Sequence, residues 1–210
     1  MKNFLKLITL SLITISCNGL QNNIEQYSIE TLMSNNRSSG GYFSKDANKL
    51  IYSSDKSGIF NIYEVDLKTN EEIQVTDSKE ESFFARGYSP TTGEVIYSAD
   101  KGGNENSHIY IIRDGKSIDL TPGKNTKASF FGWTKDELEM YVISNSRDPR
   151  FFDLYKINIK TLSSEMVFKN ESGYNINSSS NNDNYLVLSL NISRSDQKLF
   201  LFDFKRTQQI

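Results

Sequence analysis

The sequence predicts an all-β fold, namely a partial β-propeller of about three and a half to four four-stranded blades after an N-terminal signal segment. Three observations support this prediction. The chain holds 11 Tyr and 13 Phe but only 3 Pro, a composition typical of strands and polar turns. Similar segments recur about every 45 residues, which is the length of one propeller blade. Within each segment, apolar and polar residues alternate as they do in half-buried strands.

Residues 1–17 predict a signal peptide of the lipoprotein type. Two lysines precede a short apolar run at residues 7–15, and Cys17 follows it closely. A run of this length between polar flanks is typical of secretion signals and is too short to span a bilayer. We expect Cys17 to carry a lipid, with residues 18–26 as a polar tether, in a periplasmic or outer-membrane lipoprotein. The alternative is an ordinary signal peptide that contains a cysteine.

Residues 27–210 contain four segments with one shared pattern. A polar turn precedes an apolar strand, and a polar loop, an alternating strand, a turn and a third strand follow. Two anchor series mark the first two of these strands: Tyr52, Tyr97, Tyr141 and Val187, spaced 45, 44 and 46 residues apart, and Tyr63, Tyr110, Tyr155 and Phe200, spaced 47, 45 and 45 apart. Two independent series with one period indicate repeated blades.

The segments "SFFARGYS", "KASFFGWT" and "GYNINSSS" link successive repeats. Each is predicted to be the innermost strand of its blade, beside the central channel. Residues 24–33 are the one stretch with helical character. A propeller must close into a ring, and the chain ends where a fourth strand of the last blade is expected. We therefore expect a longer protein, with an open strand edge at Leu199–Phe204.

Several function classes are disfavoured. The net charge of −2 argues against a nucleic-acid binder. The pattern contains no metal-ligand cluster and no phosphate-binding glycine loop, so no metal or other cofactor is expected. No G-x-S-x-G occurs and His108 is the one histidine. The chain therefore has no predicted catalytic residue and is not expected to cleave peptides by itself.

The repeats resemble TolB-type propeller repeats. The longer phrases "SGIFNIYEVDL", "SADKGGNENSHIYI", "DLTPGKNTKASFFGWTKD" and "SRDPRFFDLYKIN" resemble the N-terminal propeller of bacterial serine peptidases of the prolyl oligopeptidase family, the acylaminoacyl- and dipeptidyl-peptidase relatives. The resemblance runs from Tyr27 to the chain end. It implies a following α/β-hydrolase domain with a Ser-His-Asp triad and a propeller that gates and orients short peptides. The alternatives are a stand-alone, non-enzymatic TolB-like binding module and a gene remnant.

The loops between the first two clear strands of each repeat are the predicted substrate-facing or domain-facing sites. In "SRDPRFFD", Arg147 or Arg150 is a candidate for binding a carboxylate or carbonyl, with Asp148 beside them. The competing interpretation is structural: Arg147 pairs with Asp148 or Asp153, and Phe151 with its neighbour fills the gap between blades.

The second predicted loop, "ADKGGNENSH", offers Asn104, Glu105 and Asn106 for contact with a peptide or with the missing domain. His108 is expected to form a hydrogen bond within its blade. The resemblance also implies a possible role for paired glutamates at a free peptide N-terminus. The pairs at 71–72 and 80–81 lack the surrounding motif and receive no such role.

Overall fold

The structure is a computed structural model that describes residues 26–206 and the backbone of residues 208–209. The predicted signal peptide, its lipidation site Cys17 and residues 18–25 of the predicted tether lie outside the described residues. Residues from Asn36 onward form one compact unit, and this unit contains every strand described below. The described residues before Asn36 contain a short helix.

The helix, α1 (Ile29–Met33), is shorter than the predicted stretch at residues 24–33. Ser28 adopts an extended backbone, with ψ of 158°, and its Oγ accepts a hydrogen bond from the Thr31 amide. This N-cap fixes the helix start at Ile29, because the capping residue itself is not helical. None of the five helical residues is buried, so no apolar face favours a longer helix.

The propeller unit consists of four antiparallel sheets of four strands each, with strands in chain order. Blade I is β1 (Ser38–Phe43), β2 (Lys49–Ser54), β3 (Asn61–Asp66) and β4 (Glu72–Gln74); blade II is β5 (Phe83–Tyr88), β6 (Val95–Ala99), β7 (His108–Arg113) and β8 (Lys116–Asp119); blade III is β9 (Ala128–Trp133), β10 (Glu139–Asp148), β11 (Phe151–Asn158) and β12 (Ser164–Phe168); blade IV is β13 (Asn175–Ser179), β14 (Tyr185–Asn191), β15 (Gln197–Asp203) and β16 (Gln208–Gln209). The predicted all-β partial propeller is confirmed.

Three apolar cores lie between successive blades. Ile51 and Tyr97 belong to the core between blades I and II, and Ile96 and Met140 to the core between blades II and III. Leu188 belongs to the third core, between blades III and IV. Burial of one such aliphatic side chain stabilises the fold by about 1.5–3 kcal/mol. Each blade is therefore held mainly by its neighbours, as expected for stacked repeats.

The anchor series derived from the sequence is offset by one residue in two blades. Tyr52 lies opposite Tyr63 and Tyr97 opposite Tyr110, as the shared register requires. In blade III, however, Val142 rather than Tyr141 lies opposite Tyr155. In blade IV the corresponding pair is Leu188 and Phe200, not Val187 and Phe200. A slip of one residue points a side chain to the opposite face of a sheet, so Tyr141 and Val187 mark the wrong face.

The innermost strands match the prediction in three blades. β5, β9 and β13 lie within the three linking segments, but β1 was missed. Its sequence, SSGGYF, has little β-propensity, and pairing with β2 holds it in the sheet. The fourth blade also differs from expectation, because β16 pairs with Phe202 and Asp203. The edge of β15 at Leu199 has no partner in β16, and this residue is 66% exposed.

A β-bulge interrupts each innermost strand at the same place in its pairing with the second strand. The extra residue is Arg86 in blade II, Phe131 in blade III and Asn177 in blade IV. In blade I, Gly40 and Gly41 oppose a single residue of β2. A bulge leaves one residue outside the ladder and changes the direction of its side chain. The same backbone feature thus presents a different side chain in each blade.

Candidate functional site

One end of the sheets, here called the loop face, carries the loops between the second and third strands and the links between blades. The loops are residues 55–60, 100–107, 149–150 and 192–196, and the links are residues 75–82, 120–127 and 169–174. Backbone hydrogen bonds join a loop to the point where the following link enters the next inner strand: Phe83 donates to Phe60 at 2.9 Å and Ala128 donates to Ser107 at 2.7 Å. The predicted loops therefore lie on one face.

In each of the first three blades, a polar side chain two residues before the third-strand anchor binds the outer strand or the link that follows it. In blade I this residue is Asn61, which is fully buried and whose Oδ1 accepts from the Ser78 amide at 2.7 Å. In blade II it is His108, whose Nδ1 shares a hydrogen bond of 2.7 Å with Asp119 Oδ2. The predicted hydrogen bond of His108 within its blade is confirmed.

In blade III the equivalent residue is Asp153, which is fully buried. Arg147 binds it with both arms of the guanidinium, at 2.7 Å from Nε and 2.9 Å from Nη2. Arg147 also donates to the carbonyl of Asn170 at 3.1 Å, and the Asn170 amide donates to Asp153 at 2.7 Å. The carboxylate of Asp153 raises the pKa of Arg147. This geometry matches the structural interpretation of Arg147, which anchors the hairpin that ends in residues 149–150.

Arg150 and Asp148 form the exposed tip of this hairpin. Arg150 donates to both Asp148 oxygens, at 3.0 Å from Nε and 2.7 Å from Nη2, and its side chain is 76% exposed. The guanidinium and the Arg150 amide hold the pKa of Asp148 well below the usual carboxyl range. The Arg150 guanidinium also lies 5.3 Å from the ring centre of Phe151. The Arg150 guanidinium is thus oriented by Asp148 and remains exposed to solvent at the tip.

The other predicted loop is ordered by its own polar groups. The Glu105 amide donates to Asp100 Oδ2 at 2.8 Å, and the Asn106 amide donates to Asn104 Oδ1 at 2.9 Å. Asn104 and Glu105 are exposed, and Asn106 is half-buried. Across residues 26–206, no hydrogen bond or ion pair joins this loop to the tip at Arg150. The two predicted groups are separate features of the loop face.

Sequence reasoning missed a cavity of about 470 Å³ lined by the innermost strands of blades I to III and the turns next to them. Its aromatic side chains are Tyr42, Phe43, Tyr88, Phe130 and Trp133. Arg86 and an ion pair between Lys45 and Glu137 also line this cavity, here called the aromatic cavity. One sequence signal could have indicated this cavity. The segments "SFFARGYS" and "KASFFGWT" were predicted to be inner strands, and side chains of inner strands lie near the channel.

Two further kinds of site were sought in the described part of the chain. Residues 26–206 contain no group of three or more His, Cys, Asp or Glu side chains that could hold a metal ion. None of the helices described there has the length and apolar character needed to cross a bilayer.

No protein-family profile matches the sequence, and no curated protein matches it either. Solved structures do match. TolB from Acinetobacter baumannii has a TM-score of 0.58 at 19% identity, covering 83% of this chain and 43% of that chain. An oligogalacturonate lyase in complex with manganese has a TM-score of 0.62 at 15% identity, with 82% and 52% covered. A prolyl endopeptidase has a TM-score of 0.60 at 14% identity, with 81% and 27% covered.

This chain thus spans about half or less of the length of these three proteins. Their functions differ, and their sequences are too distant to transfer any one function. What they share with this chain is the propeller architecture, which agrees with the sheet order and the three cores between blades. Residues 36–209 have the β-propeller fold found in TolB and in the N-terminal propeller of prolyl oligopeptidase-family peptidases.

Proposed function

We propose that this chain is the propeller part of an envelope serine peptidase of the prolyl oligopeptidase type. Its role is to gate and orient short peptides for an α/β-hydrolase domain that docks on the loop face. The observation that carries the proposal is the hairpin of blade III. Buried Asp153 and Arg147 fix its base, and Arg150 remains exposed at its tip. A fixed guanidinium suits a peptide carboxylate or carbonyl.

The proposed location is the cell envelope, with the lipid on Cys17 as the membrane anchor. TolB-like proteins are periplasmic, and the signal-like residues 1–17 agree with export. Metabolic labelling with a fatty acid tests the anchor. We expect labelling of the chain and its loss in Cys17→Ser, because the thiol is the attachment point. Secretion of Cys17→Ser without any labelling of the parent chain would support the ordinary signal peptide instead.

The test of the main role compares peptide binding and stability. We expect Arg150→Ala to weaken binding of short peptides, measured by calorimetry, while the melting curve is unchanged. Lys124→Ala, an exposed residue on a loop-face link, is the matched control. Equal binding by Arg150→Ala and the parent chain would refute the role of the hairpin tip.

A second candidate function is a stand-alone periplasmic binding module without catalysis. The aromatic cavity favours it, because apolar walls with a few charged groups are typical of small-ligand sites. The DNA beyond the codon for Ile210 distinguishes the two candidates. A hydrolase domain with a G-x-S-x-G elbow, in frame or after one frameshift, would support the peptidase. A confirmed stop with no hydrolase downstream would support the binding module.

A further inference from the structure

A second, smaller cavity of about 250 Å³ lies between the inner parts of blades II and III. Two cationic side chains line it, Arg86 from β5 and Lys127 from the link into blade III. Its other polar side chains are the hydroxyls of Ser98, Ser107 and Ser129. Every lining side chain that carries a charge is therefore positive, in a protein whose net charge is −2.

The bulge in β5 places Arg86 in this cavity. Ala85 pairs with Tyr97 and Gly87 with Ile96, so Arg86 is the residue outside the ladder. Gly87 adopts a φ of +135°, a conformation that side-chain-bearing residues rarely take. This backbone conformation maintains the bulge and hence the direction of the half-buried Arg86 side chain.

The guanidinium of Arg86 has unused hydrogen-bonding capacity. Its Nε donates to Ser98 Oγ at 2.9 Å. In residues 26–206, no carboxylate lies within ion-pair distance of Arg86 or Lys127, and the two terminal nitrogens of Arg86 donate no hydrogen bond. By contrast, Arg113 and Arg147 each bind a carboxylate. A half-buried cation without a counter-ion is costly to desolvate, and an anionic ligand offsets that cost.

The small cavity adjoins the aromatic cavity, since Arg86 and Phe130 line both of them. We propose that this chain binds a small carboxylic acid that carries an apolar or aromatic body. The carboxylate lies between Arg86 and Lys127, where a planar guanidinium can donate two parallel hydrogen bonds. The body of the ligand packs on the aromatic cavity beside Phe130 and Trp133. This site is distinct from the hairpin tip and does not depend on the peptidase role proposed above; it names a ligand class for the aromatic cavity of the second candidate function.

The test uses the full chain and 3-phenylpropionate as the probe. Binding is followed by the fluorescence of Trp133, the single tryptophan, and by calorimetry. We expect 3-phenylpropionate to bind saturably. We expect the affinity for 3-phenylpropanamide, which has the same body without the charge, to be lower by about tenfold or more. Arg86→Gln lowers the affinity by a similar factor and Lys127→Gln lowers it several-fold. Lys124→Gln, an exposed lysine on the same link, leaves the affinity unchanged.

Each other outcome overturns the proposal. One is the absence of saturation up to about 10 mM probe. A second is equal affinity for the acid and the amide, and a third is tighter binding of inorganic phosphate than of the carboxylate. If the melting curve shows that Arg86→Gln is unfolded, the exposed Lys127→Gln and the acid–amide pair still decide the outcome. The site is then refuted if Lys127→Gln binds the acid with unchanged affinity and the parent chain binds the acid and the amide with nearly equal affinity.

Discussion

Asn170 connects the blade III hairpin to the link that leads into blade IV. It is buried, at 1% exposure, in the link between blades III and IV. Its side-chain amide donates to the Phe152 carbonyl at 3.0 Å and to the Tyr174 carbonyl at 2.8 Å, and its Oδ1 accepts from the Tyr174 amide at 3.0 Å. Asn170→Ala removes all three hydrogen bonds. At a net 0.5–1.5 kcal/mol each, we expect a loss of about 2–3 kcal/mol in the free energy of unfolding.

Urea denaturation measures this loss, with Trp133 fluorescence and far-UV circular dichroism as the two probes. Asn170→Asp is the sharper variant, because it keeps the shape but places a carboxylate against two carbonyls and beside Asp153. We expect it to destabilise at least as much as Asn170→Ala. The matched control is Asn104→Ala, an exposed asparagine on the loop face, with a change within about 0.5 kcal/mol. Equal small losses for Asn170→Ala and Asn104→Ala would refute the reasoning.

Three further predictions concern the hairpin tip, the ion pair between Arg113 and Glu94, and the bulge in β5. Arg150→Lys should retain part of the peptide binding lost in Arg150→Ala, because it keeps the charge without the planar fork; peptide titrations showing equal losses would contradict this. Arg113 holds the pKa of Glu94 below its usual 4.5, so the ion pair stabilises the fold above pH 4.5, and this contribution is lost as the pH falls through the lowered pKa. The difference in unfolding free energy between the parent and Glu94→Gln should therefore shrink from about pH 7 to about pH 3. A constant difference would argue against the pair. Gly87→Ala should lower the free energy of unfolding in urea by about 1–3 kcal/mol through backbone strain at φ +135°. A steric clash does not contribute, because the added Cβ meets only Tyr42 at 3.9 Å. A neutral result would show that the bulge relaxes.

The repeat period was enough to predict about three and a half to four blades, and the position of most strands. The alternation in "NIYEVDL" and "DLYKINI" predicted strands: β3 lies within the first segment, and β11 covers most of the second and begins two residues before it. The same logic failed at Tyr141, because an aromatic residue at the expected spacing was preferred over its neighbour. In blade III both residues are buried, in different cores. Hydrophobicity alone does not show which of two buried neighbours is the anchor. The pairing with β11 shows that it is Val142.

The candidate sites were predictable to different extents. The arginine-rich phrase drew attention to the hairpin, but its sequence does not say which aspartate Arg147 binds. That partner depends on Asp153 being buried against the link at Asn170, which is a contact between distant segments. The cavity at Arg86 was not predicted at all, because a bulge depends on the register between two strands. A lone arginine in "SFFARGYS" gives no local sign that its side chain faces a cavity.

The bulges bear on how proteins of one fold come to differ in function. A backbone feature repeated in every blade presents glycine, arginine, phenylalanine and asparagine in turn near the channel. Changing Arg86 alters the chemistry of the cavities that it lines, whereas the core between blades I and II contains other residues of β5. Phe131 differs, because it also packs against the core between blades III and IV. TolB, a lyase and a peptidase can therefore share one architecture, and similarity of backbone does not select among their activities. For this chain, the informative residue is the one with an unmet charge, Arg86, because a ligand that neutralises it is chemically restricted to an anion.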